Sequence, residues 1–256
     1  MNDPMSRRAL NHDGPHSTLT LDILCNEQLK VLQVRNGYRF SIDAFLLANF
    51  LTLKRGESLL DIGTGCGIIP IYLSKKGYMN HMLGVEIQDD LFNAAMKNKE
   101  LNDVGDDMEF MKGDINQHVA GLATRGFQVV VSNPPYTKKR SGRMSPGYSR
   151  YIARYESCLD LSQLVSAASS LLTKKGRFYV IYPTRRLGEL IYEARSKKLE
   201  LKRLRMVHPR KDGEANLFLA EFIKEGGIGA TVERPLYVYE DGRITEEVNK
   251  FYTLKG

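Results

Sequence analysis

Between Ser58 and Lys198 the chain alternates short apolar, β-branched runs with longer stretches of helical period, and this alternation limits the possible folds more than any other feature. Strands are expected at 58–62, 82–86, 108–111, 127–132 and 177–182. Helices are expected at 68–76, at 91–101 with Asp90 as cap, at 158–173 and at 187–198. Strand–helix alternation of this kind means βαβ units, hence an α/β fold with a mostly parallel sheet and helices on both faces. Two further strand candidates, 199–207 and 216–224, have only a polar loop between them, so they complete a seven-stranded sheet as an antiparallel edge hairpin. Upstream, two alternating runs around Asn26-Glu27-Gln28 predict a hairpin over 19–34, and Ser41 is placed to cap a helix from Ile42 to Leu53. Residues 234–241 add a short β tail. The expected organisation is a disordered arm over 1–18, a hairpin and helix over 19–55 packed on the core, and one main domain over 56–256.

A chain of 256 residues that is 42% hydrophobic can build one large core. No apolar run approaches the ~20 residues needed to cross a membrane. Residues 1–18 lack the apolar segment of a secretory leader. The three cysteines, Cys25, Cys66 and Cys158, are scattered, which argues for a reducing cytoplasm and against a disulfide framework or a metal site.

Chemistry concentrates at the strand ends. In an open parallel sheet, ligands sit beyond the carboxyl ends of the strands. The first core strand runs into Asp61-Ile62-Gly63-Thr64-Gly65-Cys66-Gly67, where Gly63, Gly65 and Gly67 allow a tight turn and close approach of backbone to ligand. Glu86 ends the second strand and Asp114 follows the third. The G-x-G-x-G spacing departs from the dinucleotide G-x-G-x-x-G, so a ligand without a pyrophosphate fits better. S-adenosyl-L-methionine (SAM) has the matching parts. Asp61 would favour its ammonium, Glu86 its ribose hydroxyls, and Asp114 its adenine amine.

The fourth strand ends in Asn133-Pro134-Pro135-Tyr136. Proline cannot continue a ladder, so the turn holds the Asn133 carboxamide oxygen and the Pro134 carbonyl rigidly at the strand's end. Two fixed acceptors suit a planar NH2 group, and Tyr136 offers a face on which a base can stack.

The net charge is +7 with a pI of about 9.2. No acidic residue lies between Asp114 and Glu156, where Lys138, Lys139, Arg140, Arg143 and Arg154 fall together with Tyr148. This long basic segment after the turn suits contact with nucleic-acid phosphates, with Tyr148 on a base. A second basic cluster spans 195–211, and within it His208, Arg210 and Lys211 are expected in the loop of the edge hairpin, overhanging the same sheet edge.

With these motifs the chain resembles the class I SAM-dependent methyltransferases of the amine-modifying group, which join a Rossmann-like fold to an Asn-Pro-Pro-Tyr turn. Phe40-Ser-Ile-Asp-Ala-Phe-Leu-Leu-Ala48, Gly84-Val-Glu-Ile-Gln88, Ala153-Arg-Tyr-Glu156 and the segment Val207 to Asn216 are similar to bacterial tRNA (adenine-N(6))-methyltransferases acting on valine tRNA. The resemblance runs from Leu19 to Gly256. It implies a cytoplasmic enzyme with SAM as cofactor, tRNA as partner, and no membrane or metal. Asn133, Pro134 and Tyr136 would be catalytic. Asp61, Gly63, Gly65, Gly67, Glu86 and Asp114 would hold the cofactor, and the basic residues named above would hold RNA. Alternatives are methylation of a glutamine amide in a translation release factor, or a SAM-binding RNA-interaction protein without turnover.

Overall fold

The computed structural model describes residues 10–11, 19–35, 40–135 and 159–254. Strands β1 (Leu10–Asn11), β2 (Leu19–Leu24) and β3 (Leu29–Val34) form a small antiparallel sheet in that order. Helix α1 (Ile42–Phe50) follows, then β4 (Leu59–Ile62), α2 (Ile68–Lys75), β5 (Met82–Glu86), α3 (Asp89–Leu101), β6 (Met108–Lys112), α4 (Ile115–Leu122) and β7 (Phe127–Ser132). After the Asn-Pro-Pro turn come α5 (Leu161–Leu171), β8 (Leu172–Pro183), α6 (Leu187–Ser196), β9 (Leu199–Arg210) and β10 (Leu217–Lys224). The tail adds β11 (Thr231–Val232), β12 (Leu236–Glu240), β13 (Arg243–Ile244) and α7 (Glu246–Lys250).

The main sheet runs β13-β12-β9-β10-β8-β7-β4-β5-β6, with β11 paired to β9 off this path. Strands β4 to β8 are parallel, and β10 is antiparallel to both β8 and β9. The seven expected strands are thus present, and the C-terminal β tail continues the sheet beyond the hairpin. Strand order reverses at β4, whose neighbours are β5 on one side and β7 on the other. The crevice at this reversal is where the fold offers a ligand site.

Side chains alternate across the central strands, and the core follows. Leu59, Val129, Val131, Tyr179 and Ile181 face a layer containing α1, α2 and the hairpin. Leu60, Val130, Phe178 and Val180 face α4, α5 and α6. Both faces are dry, which explains why β4, β5 and β7 read as nearly continuous apolar runs.

Three expectations need correction. Leu10–Asn11, inside the stretch expected to be a disordered arm, pair with β2. Helix α3 begins at Asp89 with Gln88 in the capping position, so Asp90 lies in the first turn, where its charge suits the helix dipole. Helix α4 was not anticipated. Asp114 caps it by accepting from Asn116 N at 2.9 Å, and Ile115 and Leu122 bury one face.

The basic cluster at 195–211 is substantially neutralised. Arg203 pairs with Glu221 and Glu233, Arg205 with Glu247, Lys211 with Glu240, and Arg195 with Glu200. Glu233, Glu240 and Glu247 all belong to the C-terminal segment, so these ion pairs fasten the tail along β9. No helix among the described residues is long and apolar enough to cross a membrane.

Candidate active site

The glycine loop leaves β4 at the reversal point. Gly63, Gly65 and Gly67 have φ of 72°, 60° and 80°, values that L-residues with side chains rarely adopt. At Gly67 a Cβ would also meet the Phe110 ring at 2.6 Å. The loop folds back on β5, with the N–H groups of Gly63 and Thr64 both donating to the Val85 carbonyl.

Two buried carboxyl groups flank it. Asp61 is 1% exposed, and its Oδ2 accepts from the Thr64 hydroxyl at 2.7 Å. Its Oδ1 is buried with no hydrogen-bond partner among the described residues. Burial, offset by the Thr64 bond and reinforced by the neighbouring Glu86 charge, pushes the Asp61 carboxyl up to about 7. Glu86 is also buried. It accepts from Gly65 N and Gln88 N, each at 2.9 Å, and burial raises its carboxyl despite these bonds. An unsatisfied buried carboxylate oxygen is costly and calls for a donor. The ammonium of SAM is such a donor, so the residues present fit this cofactor. Beyond the strand ends, Ile62, Val85, Ile87, Ile115 and Leu159 line an apolar cleft with Gly113 and Asp114 at its edge. Its character suits the face of an adenine, with the Asp114 carboxylate beside it.

Close packing under the loop gives one testable consequence. A Cβ on Gly84 would lie 2.6 Å from the Phe110 ring and 2.8 Å from Thr64 Oγ1. Gly84→Ala is expected to lower unfolding free energy by roughly 1–3 kcal/mol in urea titration, since the buried surroundings must shift.

At the end of β7 the Ser132 hydroxyl donates to the Ile62 carbonyl at 2.8 Å. Ile62 directly precedes Gly63, so the strand that ends at Asn133 is tied to the residue before the glycine loop. Asn133 is half-buried, while Pro134 and Pro135 are buried. The Asn133 carboxamide makes no hydrogen bond among the described residues. Tyr136 and the basic segment with Lys138, Lys139, Arg140, Arg143, Tyr148 and Arg154 lie outside the described residues.

The β9–β10 turn stands at the same end of the sheet, because Leu217 pairs with Pro183 at the carboxyl end of β8. The turn is held there by Thr184, whose N–H and hydroxyl donate to the carbonyls of Asn216 and Ala215. Strand β9 runs on to Arg210, so His208 and Arg210 belong to the strand rather than to the loop expected for them. His208 Nδ1 lies 2.8 Å from the Gly213 carbonyl, Lys211 is paired with Glu240, and Arg210 is exposed. Sequence reasoning passed over Thr64 and Ser132, whose hydroxyls organise the two turns. It also missed the apolar lining, for which Ile87, next to Glu86, was the available signal. The Cys66 thiol is buried and pushed up to about 12, so it is a packing residue of the loop and no nucleophile.

Comparison with known proteins agrees with this geometry. A family model described as a methyltransferase domain matches residues 53–237. The chain belongs to that family. It is 32% identical over 207 residues to a protein of Porphyromonas gingivalis named tRNA1(Val) (adenine(37)-N6)-methyltransferase, a match covering 78% of this chain and 80% of the relative. A protein of the same name from Dyadobacter fermentans is 24% identical, with 86% of this chain and 90% of the relative covered. Among solved structures, a predicted O-methyltransferase from Agrobacterium tumefaciens superposes with a TM-score of 0.67 at 21% identity, covering 83% of this chain and 98% of that one. That likeness shows the methyltransferase fold.

Proposed function

We propose that this protein is a SAM-dependent tRNA (adenine-N(6))-methyltransferase that modifies an adenine beside the anticodon of a valine tRNA. The observation that supports the reading is the Ser132–Ile62 hydrogen bond, which ties the residue before Asn133 to the residue before Gly63. The names of the relatives support the substrate.

When bound, SAM supplies a methyl group on a sulfonium. Asp61, with its orphan oxygen, and Glu86 would hold its ammonium and ribose, and the apolar cleft with Asp114 its adenine. Asn133 Oδ1 and the Pro134 carbonyl accept from the two N–H groups of the target amine. An adenine amine is a poor nucleophile because its lone pair is delocalised into the ring. The two acceptors favour a pyramidal nitrogen and stabilise the positive charge that develops on it. Fixing the amine also removes the entropic cost of bringing the reactants together. The methylated nitrogen then loses its proton readily, so no strong base is required. Tyr136 would stack on the extruded base, and Lys138, Lys139, Arg140, Arg143, Tyr148 and Arg154, with His208, Arg210 and Lys211, would contact RNA. A tRNA substrate accords with a cytoplasmic location.

The test is incubation with labelled SAM and undermodified bulk tRNA, then mass spectrometry of the nucleosides. N(6)-methyladenosine in a valine tRNA is the expected product. Transfer of label to a release-factor glutamine, or to no acceptor at all, would overturn the assignment.

A further inference from the structure

We infer that Asn98 is a positioning residue that couples the N-terminal hairpin to the glycine loop, so that cofactor binding and hairpin docking reinforce each other. The inference rests on reading that loop as the SAM seat.

Among the described residues, strand β3 pairs with β2 along one edge only. Its other edge meets α3, and two asparagines take the place of a neighbouring strand. Asn102 Oδ1 accepts from Lys30 N at 3.0 Å, and its Nδ2 donates to Lys30 O at 2.7 Å. Asn98 Oδ1 accepts from Leu32 N at 2.6 Å, and its Nδ2 donates to Leu32 O at 3.0 Å. The spacing explains the fit. Two residues of strand advance about 6.7 Å, and four residues of helix about 6 Å. A carboxamide offers the same donor and acceptor as a peptide group.

The two asparagines differ in their second N–H. That of Asn102 returns to its own helix, at Asn98 O, 2.8 Å away. That of Asn98 donates to Cys66 O at 2.9 Å. Cys66 lies between Gly65 and Gly67, and Gly65 N is already held by Glu86. One fully buried side chain therefore joins the strand edge at Leu32 to the turn that faces the cofactor. A carboxamide with both hydrogens committed cannot serve one partner well while the other moves. Ordering the loop orders the hairpin, and by linkage the converse holds to the same degree.

Asn102 supplies the control, since it makes the same bonds to β3 and none to the loop. In the full-length protein, Asn98→Ala is expected to weaken binding of S-adenosylhomocysteine about tenfold by calorimetry, while Asn102→Ala leaves it within about twofold. Both variants should melt lower than the parent. A purely structural staple would instead give two variants with equal dissociation constants, and that result would overturn the coupling. The second measurement needs no variant. Saturating S-adenosylhomocysteine should slow hydrogen exchange at amides 29–34 of the parent protein about fivefold or more. Unchanged exchange at those amides in a protein that binds the ligand overturns the inference and leaves the proposed function standing. A parent protein that does not bind the ligand overturns both. Should Asn98→Ala fail to fold, the exchange result decides alone.

Discussion

Asn133→Ala is expected to slow methyl transfer by roughly a hundredfold or more while leaving the dissociation constant for SAM within about twofold. The separation follows from where the residue sits. Asp61, Glu86 and the glycine loop hang from β4 and β5, whereas Asn133 hangs from the end of β7, which is joined to β4 by the sheet ladder and by the Ser132–Ile62 bond. Removing the carboxamide takes away one of two acceptors for the developing charge on nitrogen and leaves the cofactor's contacts in place. Asn133→Asp keeps an acceptor oxygen at the same position and should recover part of the lost rate. Single-turnover transfer measured beside calorimetric titration checks both halves. Near-normal transfer by the alanine variant would remove Asn133 from the mechanism.

The second large effect concerns Asp61 and pH. Its carboxyl titrates near 7 in the folded protein, against about 3.9 in an unfolded chain. The folded, ligand-free protein therefore holds a proton that the unfolded chain releases between those values. The sign follows by linkage. This group favours the folded state most below about pH 4, and that contribution is lost as pH rises through about 7. A cationic ligand requires the ionised form, so SAM affinity should move the other way, weakening by up to roughly tenfold per unit as pH falls below 7. Burial raises the Glu86 carboxyl in the same direction. Asp61→Asn should weaken SAM binding about ten- to a hundredfold at pH 8, where a charge-assisted bond is lost, and should flatten the pH dependence of affinity. Thermal melts without ligand should show the variant more stable than the parent at pH 8. A parent protein whose SAM affinity is flat from pH 6 to 8 would contradict this account.

Much of the fold was legible because its determinants are local. The apolar runs before Gly63, Glu86 and Asn133 became β4, β5 and β7, since strands buried on both faces need unbroken apolar sequence, while the edge strand β6 mixes Met108, Phe110 and Met111 with Glu109 and Lys112. The acidic residues and the proline turn sit at strand ends, where the sequence itself punctuates. Helix α4 was missed for a local reason. Asp114 reads as a ligand carboxylate rather than as a helix cap, although Ile115, Val119 and Leu122 have helical spacing. The other gaps are non-local. A run of cations at 195–211 gives no hint that Glu221, Glu233, Glu240 and Glu247 return from later in the chain to meet it. Nothing in the order of residues shows that Asn98, within α3, and Asn102, at its end, meet β3.

The tail along β9 has a consequence for solubility. A twelve-residue strand at the margin of a sheet is a template on which a second molecule can polymerise. Here β11 and β12 occupy that margin in parallel register, at Arg203–Leu204 and from Val207 to Arg210. At the opposite margin β6 is short and carries Glu109 and Lys112. A chain cut after Lys224 would keep its glycine loop and its Asn-Pro-Pro turn but bare this margin of β9, and light scattering beside the full-length protein is expected to show it aggregating.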